Sequence, residues 1–125
     1  MKKVINSPKA PKAIGPYSQA IEANGTLYIS GQLPIDAATG KFAEGGVKEQ
    51  TEQCLKNIGH ILEEAGYTFD NVVKSTCLLG DMSYFGEMNE VYAKYYKTDC
   101  PARAAFAVKG LPMGAMVEIE AIAVK

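Results

Sequence analysis

The sequence has little of the side chains on which hydrolytic and nucleic-acid chemistry usually depend. Its 125 residues include one histidine (His60), one arginine (Arg103) and no tryptophan. A Ser-His-Asp or Cys-His arrangement would have to use His60, and a bidentate guanidinium site would have to use Arg103. Acidic and basic residues nearly cancel, at a net charge of −1. This balance argues against an electrostatic nucleic-acid binder.

Cysteines and long apolar runs are also scarce. The three cysteines, Cys54, Cys77 and Cys100, include no CxxC pair, which argues against a disulfide framework and against a zinc site. We interpret all three as small apolar fillers. No stretch approaches the roughly 18 apolar residues that span a membrane, and the N-terminus has no apolar leader. We therefore expect a cytoplasmic protein that carries neither a metal nor a cofactor.

The residues that are present predict a single α+β domain over residues 1–125. Asn24-Gly25 predicts a type I′ hairpin between residues 19–23 and 26–30. Apolar residues at three- and four-residue steps predict a helix over 47–65, ended by Gly66. Later segments predict a strand at 72–79, a helix from 81 or 83 to about 96, and strands at 103–108 and 116–124. Residues 6–16 and 31–46 are interpreted as an irregular arm and a loop. This order is typical of a mixed sheet with two helices on one face.

The last predicted strand alternates between two different faces. One face carries Val117, Ile119, Ala121 and Ala123, and the other carries Glu118, Glu120, Ile122 and Val124. If both helices cover the first face, Ile122 and Val124 have no cover within the chain. We therefore predict that the far face is buried between subunits.

Arg103 and the two glutamates are the strongest candidates for chemistry. A guanidinium that enters an apolar strand needs an anionic partner. For Arg103 that partner is either Glu118 or Glu120 in a structural salt bridge, or the carboxylate of a substrate. Glu118 and Glu120 share one face and form either a solvated polar patch or a general acid/base on a rigid strand.

Other candidates have simpler structural explanations from their local sequence. Tyr17 could donate a phenolic hydrogen bond to a ligand, but a tyrosine at such a position more often serves packing. Ser30-Gly31 allows close backbone approach, but turn geometry explains the glycine equally well. Asn89 is most simply solvated, and His60 lies off the apolar stripe of its helix, where we expect it to be exposed.

Four separated motifs resemble the RidA/YjgF family. They are Ala13-Ile14-Gly15-Pro16-Tyr17-Ser18-Gln19, Ser30-Gly31-Gln32-Leu33-Pro34, Asn89-Glu90-Val91-Tyr92, and Pro101-Ala102-Arg103 followed by residues 117–123. The resemblance implies a chorismate-mutase-like fold and a homotrimer with a β-barrel-like core and ligand sites between subunits. It also implies hydrolysis of 2-iminobutanoate and 2-iminopropanoate to 2-keto acids and ammonia, which protects pyridoxal-phosphate enzymes.

The same resemblance implies roles for individual residues. Arg103 corresponds to the carboxylate-binding arginine and Glu118 to the acid that orients water, while Glu120 is the structural one of the pair. The remaining pocket positions are Tyr17, Ser30, Gly31, Asn89 and Ala105. Ala104-Ala105 replaces the Ser-Cys of well-known active members, so both polar neighbours of Arg103 are absent.

Two other functions remain open at this stage. The same pocket could serve a regulatory or chaperone-like protein that binds a small carboxylate without turnover. Relatives have also been described as translation inhibitors and ribonucleases, which the charge balance and the single histidine disfavour.

Overall fold

The computed structural model describes residues 1–125 as eight strands and two helices. The elements are β1 (Lys3–Ile5), β2 (Ala20–Ala23), β3 (Thr26–Gln32), β4 (Ile35–Asp36), β5 (Lys41–Phe42), α1 (Val47–Ala65), β6 (Val72–Leu79), α2 (Phe85–Tyr95), β7 (Ala102–Ala107) and β8 (Val117–Val124). Neither helix combines the length and the apolarity that a membrane crossing requires.

The β2–β3 hairpin and helix α1 form where the sequence predicts them. Asn24 and Gly25 both have positive φ, 51° and 74°, as a type I′ turn requires. Helix α1 ends at Gly66, whose left-handed φ of 81° lets its N–H bond back to the last turn of the helix. These local signals are strong because glycine and asparagine tolerate the left-handed backbone at little cost.

Three short strands were not predicted. β1 lies before the expected arm and exists because it pairs with β2, from Lys3 opposite Glu22 to Ile5 opposite Ala20. β4 and β5 form a separate two-stranded ribbon inside the segment interpreted as a loop. Strands of two or three residues are too short to display an alternating pattern, so the sequence carries no signal for them.

Helix α2 begins later than either predicted start. The Asp81 side chain accepts a hydrogen bond from the N–H of Ser83 at 2.8 Å, but it caps a short 3₁₀ turn, Met82–Tyr84. The α-helix itself starts at Phe85. Asp81 therefore acts as the predicted cap residue, but the turn that it caps is 3₁₀ and not α-helical.

Six strands form one mixed sheet in the order β1-β2-β3-β8-β6-β7. All neighbours are antiparallel except β6 and β7, which run parallel with α2 as their crossover. The sheet does not close on itself, because β1 and β7 remain its edges. The predicted α+β class, with a mixed sheet and two helices, is confirmed.

The two faces of the sheet differ in cover. Val117, Ile119, Ala121 and Ala123 of β8 lie in a core cluster to which α1 and α2 both contribute. On the opposite face, which we call the open face, Ile122 pairs with Tyr28, and Leu78 pairs with Phe106. Tyr28, Phe106 and Val124 are large apolar side chains exposed there. The expectation that the far face lacks cover within the chain is confirmed.

Candidate functional site

Arg103 lies against helix α2. It pairs with Ser75 of β6, whose side chain is fully buried on the helix-covered face, so Arg103 projects to that same side. Its Nη1 donates a hydrogen bond to Oδ1 of Asn89 at 2.8 Å. The guanidinium carbon lies 4.8 Å from the ring centre of Tyr92 and 5.5 Å from that of Phe85. We call Phe85, Asn89 and Tyr92 the arginine cradle. Arg103 itself stays exposed to solvent.

Glu118 lies on the open face, against Gly31. Ser30 and Gly31 form a β-bulge, because Ile29 pairs with Ala121 and Gln32 pairs with Ile119. A Cβ atom on Gly31 would lie 3.0 Å from Cδ of Glu118 and would overlap its Oε2. Only glycine therefore leaves room for the carboxylate in this position. The close approach that the Ser30-Gly31 dipeptide suggested is an approach to the chain's own Glu118.

The pKa of Glu118 is raised above its ordinary value. Partial burial of the carboxyl group is the largest cause, because it disfavours the charged form, and the nearby carboxylate of Glu120 adds like-charge repulsion. Glu120 is itself exposed. The carboxyl group of Glu118 is therefore more easily protonated in the single chain than that of an ordinary glutamate.

The segment that carries Tyr17 is attached to strand β3 beside Gly31. The hydroxyl of Ser30 donates to the carbonyl of Ser18 at 2.6 Å, so it fastens the arm to β3. Tyr17 is about half exposed and, with Gly31, lines a cavity of about 420 Å³ between the arm and the loop after β3. Gly31 thus lies next to both the cavity and the Glu118 carboxylate, although Glu118 itself does not line the cavity. We call Tyr17, Ser30, Gly31 and Glu118 the acid cluster.

Arg103 and Glu118 do not meet within one chain. Ser75 of β6 pairs with Arg103 of β7 on one side and with Ala121 of β8 on the other. Glu118 is therefore two strands away from Arg103 and three residues before Ala121 in β8. Standard strand spacings put their Cα atoms about 14 Å apart, on opposite faces of the sheet. The two ion pairs of the chain are Lys9–Glu63 and Lys48–Glu90. Within one chain, the hypothesis of a structural salt bridge from Arg103 to either glutamate is therefore wrong.

Ala105 lies on the same side of β7 as Arg103, directly opposite Cys77. Burial raises the pKa of the Cys77 thiol to about 11, against a smaller opposing effect of Arg103. Cys77 is therefore a neutral thiol under ordinary conditions. It is fully buried, as is Cys54, so both act as apolar fillers as expected, whereas Cys100 is exposed and does not.

Sequence reasoning missed two features of this region. The sequence predicted the helix but did not group Phe85 and Tyr92 with Arg103. The local sequence favoured a solvated Asn89, whereas the family resemblance implied a pocket position for it. Their spacing of i, i+4 and i+7 puts all three on one helix face, which is the signal that could have grouped them. His60 is partly buried, where exposure was expected.

The second missed feature is Gln19, which holds the N-terminal arm. Its side chain is 2% exposed, accepts from the N–H of Ser7, and donates to the carbonyls of Ser7, Ala10 and Pro11. A glutamine at a strand start carries no pattern that predicts such a network.

With this geometry established, the family follows from comparison with known proteins. The family model described as "Endoribonuclease L-PSP" matches residues 7–125. The chain belongs to this family. The mouse protein named 2-iminobutanoate/2-iminopropanoate deaminase is 54% identical over 125 residues, which is 100% of this chain and 93% of the mouse protein. The resemblance to the RidA/YjgF family is thereby confirmed.

Solved structures of L-PSP and Rid proteins have the same fold. The Rid family protein YyfA from Yersinia pestis is 48% identical, has a TM-score of 0.97, and is covered over 100% of both chains. The Escherichia coli protein TdcF, solved with bound serine, is 34% identical, with a TM-score of 0.94 and 98% of both chains covered.

Proposed function

We propose that this protein hydrolyses 2-imino acids, such as 2-iminobutanoate and 2-iminopropanoate, to 2-keto acids and ammonia. Relatives that are 50–54% identical over the whole chain are named as deaminases of these two compounds. The observation that carries the proposal is an exposed guanidinium, held by a cradle, together with a carboxylate of raised pKa. One group suits a substrate carboxylate and the other suits a water molecule. The cell would use this activity to protect pyridoxal-phosphate enzymes from reactive imines.

The active site would form between subunits. The arginine cradle and the acid cluster lie on opposite faces of one sheet, so Arg103 of one chain would meet Glu118 of its neighbour. The exposed Tyr28, Phe106 and Val124 of the open face supply the apolar surface that such an assembly would bury. We propose a homotrimer of the chorismate-mutase-like type, in which three open faces form a barrel-like core and residues 1–125 act as one domain. The three free cysteines fit a reducing compartment, for which we propose the cytoplasm.

The mechanism we propose divides the work between the two groups. Arg103 binds the substrate carboxylate through two parallel N–H donors and so fixes the C2 imine. Glu118 accepts a proton from a water molecule while the water oxygen bonds to C2, and it passes that proton to the imine nitrogen to give a neutral carbinolamine. Glu118 then accepts the hydroxyl proton of the carbinolamine as the C2 carbonyl forms and the C–N bond breaks, and it gives this proton to the departing nitrogen, which leaves as ammonia.

The remaining residues of the proposed site act around this step. Tyr17 and the backbone of Gly31 would contact the polar centre of the substrate, and Ser30 holds the arm that carries Tyr17. Asn89 would steady Arg103, and Ala105 would leave open the space that a cysteine fills in other members. Because water is the nucleophile, the reaction needs no thiol at position 105.

The activity is tested by ammonia release from an imine generated in situ by an amino-acid dehydratase. Glu118→Gln removes the base and keeps the shape, so catalysis should fall by about 10²–10⁴-fold while a 2-keto acid still binds. Arg103→Lys keeps the charge and loses the fork, so KM should rise. Turnover of Glu118→Gln at the wild-type rate would end the assignment of the base.

Mixed subunits test whether the site is shared between chains. Arg103→Ala and Glu118→Gln chains should each have little activity alone. A site that takes Arg103 from the Glu118→Gln chain and Glu118 from the Arg103→Ala chain has both groups. Unfolding and refolding the two at equal amounts should restore about a quarter of the sites. If mixing restores no activity, both groups of each site come from the same subunit.

A metabolite-binding regulator is the second candidate, favoured by the bound serine in TdcF. In that case a 2-keto acid or amino acid would bind at the same site, and ammonia release would not exceed the uncatalysed rate. The name of the family model also makes ribonuclease activity testable. The chain has one histidine, His60, and one arginine, Arg103, so it has no pair of histidines for ribonuclease chemistry. We therefore expect any ribonuclease signal to come from a contaminating enzyme and to disappear on further purification.

A further inference from the structure

Three side chains of α2 surround the guanidinium of Arg103 on one helix face. Phe85, Asn89 and Tyr92 are spaced i, i+4 and i+7, so all three project toward β7. Both ring centres lie within about 6 Å of the guanidinium carbon, the range in which a cation is attracted to an aromatic face. Asn89 accepts from only one of the five N–H donors of Arg103.

The aromatic part of the cradle is rigid. Tyr92 is 5% exposed, and its ring centre lies 4.6 Å from that of Tyr96, so the ring is wedged into the core. Its hydroxyl is buried and makes no hydrogen bond. The ring of Tyr92, and not its hydroxyl, is therefore the part that can act on Arg103.

We propose that Tyr92 and Phe85 are positioning residues, whose ring faces hold the guanidinium of Arg103 with its free N–H donors available for the substrate carboxylate. This inference rests on the proposed function and goes beyond it, because neither ring contacts the reacting atoms. An unsupported arginine on an exposed edge strand would lose rotamer freedom when it binds a carboxylate. The cradle restricts those rotamers before binding, so it raises the affinity for the ligand.

The experiment compares an aromatic with an aliphatic side chain at the same position. Tyr92→Leu removes the ring face and should raise KM, and the Kd of a 2-keto acid, about tenfold, which is about 1.4 kcal/mol. The value of kcat should change much less, since the ring has no part in proton transfer. Tyr92→Phe retains the ring and should bind within about twofold of wild type. Equal losses in the two variants would overturn the proposal, because the hydroxyl would then be the active part.

Two further variants separate positioning from general packing. Tyr95→Leu is the matched control, since Tyr95 lies on the same helix with its ring against Phe69, 5.2 Å between centres, and not against Arg103. Its KM should stay at the wild-type value. Phe85→Leu, at a partly buried site, should raise KM in the same direction as Tyr92→Leu and serves if that variant does not fold. An equal rise of KM in Tyr95→Leu would show a nonspecific effect of helix packing and overturn the proposal.

A double-mutant cycle distinguishes failure of this inference from failure of the proposed function. In an Arg103→Ala background, Phe85→Leu and Tyr92→Leu should not weaken 2-keto acid binding further, because the group that they position is gone. Full additivity would show that the rings act independently of Arg103 and would overturn the positioning role alone. If Arg103→Ala itself binds the 2-keto acid like wild type, the carboxylate-binding assignment fails, and the positioning role fails with it.

Discussion

Replacing Gly31 with alanine tests how closely the Glu118 carboxylate must be placed. The added Cβ would lie 3.0 Å from Cδ and 3.4 Å from Cγ of Glu118 and would overlap Oε2. Gly31 does not have a positive φ, so alanine fits the backbone and only the glutamate must move. A shift of the carboxylate by about 1 Å should lower kcat/KM about 100-fold, or about 2.7 kcal/mol.

The same substitution should leave the stability of the fold nearly unchanged. Forcing Glu118 off its rotamer costs about 0.5–1.5 kcal/mol. Alanine also lowers the conformational entropy of the unfolded chain relative to glycine, which stabilises the folded protein by about 0.4–1 kcal/mol. The two effects offset each other to within about 1 kcal/mol, so Tm should stay within about 4 °C of wild type. Activity and stability therefore separate, whereas a folding defect would lower both.

Ammonia release and thermal unfolding, measured on the same preparations, provide the assay. Gly110→Ala is the matched control, because a Cβ at Gly110 meets no atom within 4 Å, and it should keep wild-type kcat/KM. In a Glu118→Gln background, Gly31→Ala should cost little more, since the base is already absent. The reasoning is refuted if a folded Gly31→Ala protein retains wild-type kcat/KM.

Three other features lead to predictions. Because the charge of Glu120 raises the pKa of Glu118, kcat/KM should fall as the pH decreases through the pKa of Glu118, and Glu120→Gln should move this limb to lower pH. For the isolated subunit, the raised pKa means that ionisation of Glu118 destabilises the folded chain, so Glu118→Gln should stabilise the dissociated subunit more at pH 7 than at pH 4, as measured by urea unfolding. Gln19→Met should release the N-terminal arm, seen as faster proteolysis of the arm and a higher KM with an unchanged core. A thiol reagent should modify only Cys100 in the native protein and all three cysteines in denaturant.

The architecture could be predicted where a long element repeats one pattern many times. Helix α1 shows several turns of apolar residues, and β8 alternates over eight residues, so both were predicted within one residue of their bounds. The ribbon of β4 and β5 and the strand β1 could not be predicted in this way. They exist because a neighbouring strand pairs with them, and pairing is a property of the folded chain.

The division of the site into two clusters could not be predicted for a different reason. Residues 104–107 of β7 are all apolar, so alternation along this strand carries no information on which residues face the helices. The side of the sheet on which Arg103 lies is determined by the register between β6 and β7, in which Arg103 pairs with Ser75. This register joins residues that are far apart in the sequence. The resemblance to a family supplied the identity of the candidate residues, and strand register determined which of them share a face.

This division has an energetic consequence for the isolated chain. A guanidinium and a carboxylate that met inside one subunit would have to lose their water together during folding, and desolvation can exceed the attraction gained. Here Arg103 remains exposed and Glu118 half-buried, so each charge keeps solvent until subunits and substrate bring them together. The Glu118 carboxylate therefore titrates in the single chain without stabilisation from Arg103, and its pKa is raised. An arginine from a neighbouring subunit should lower that pKa, and a bound substrate carboxylate should cancel the effect and favour proton uptake by Glu118. Assembly would then set the protonation state of the base in the empty site, and substrate binding would change it at the moment when a proton must be taken from water.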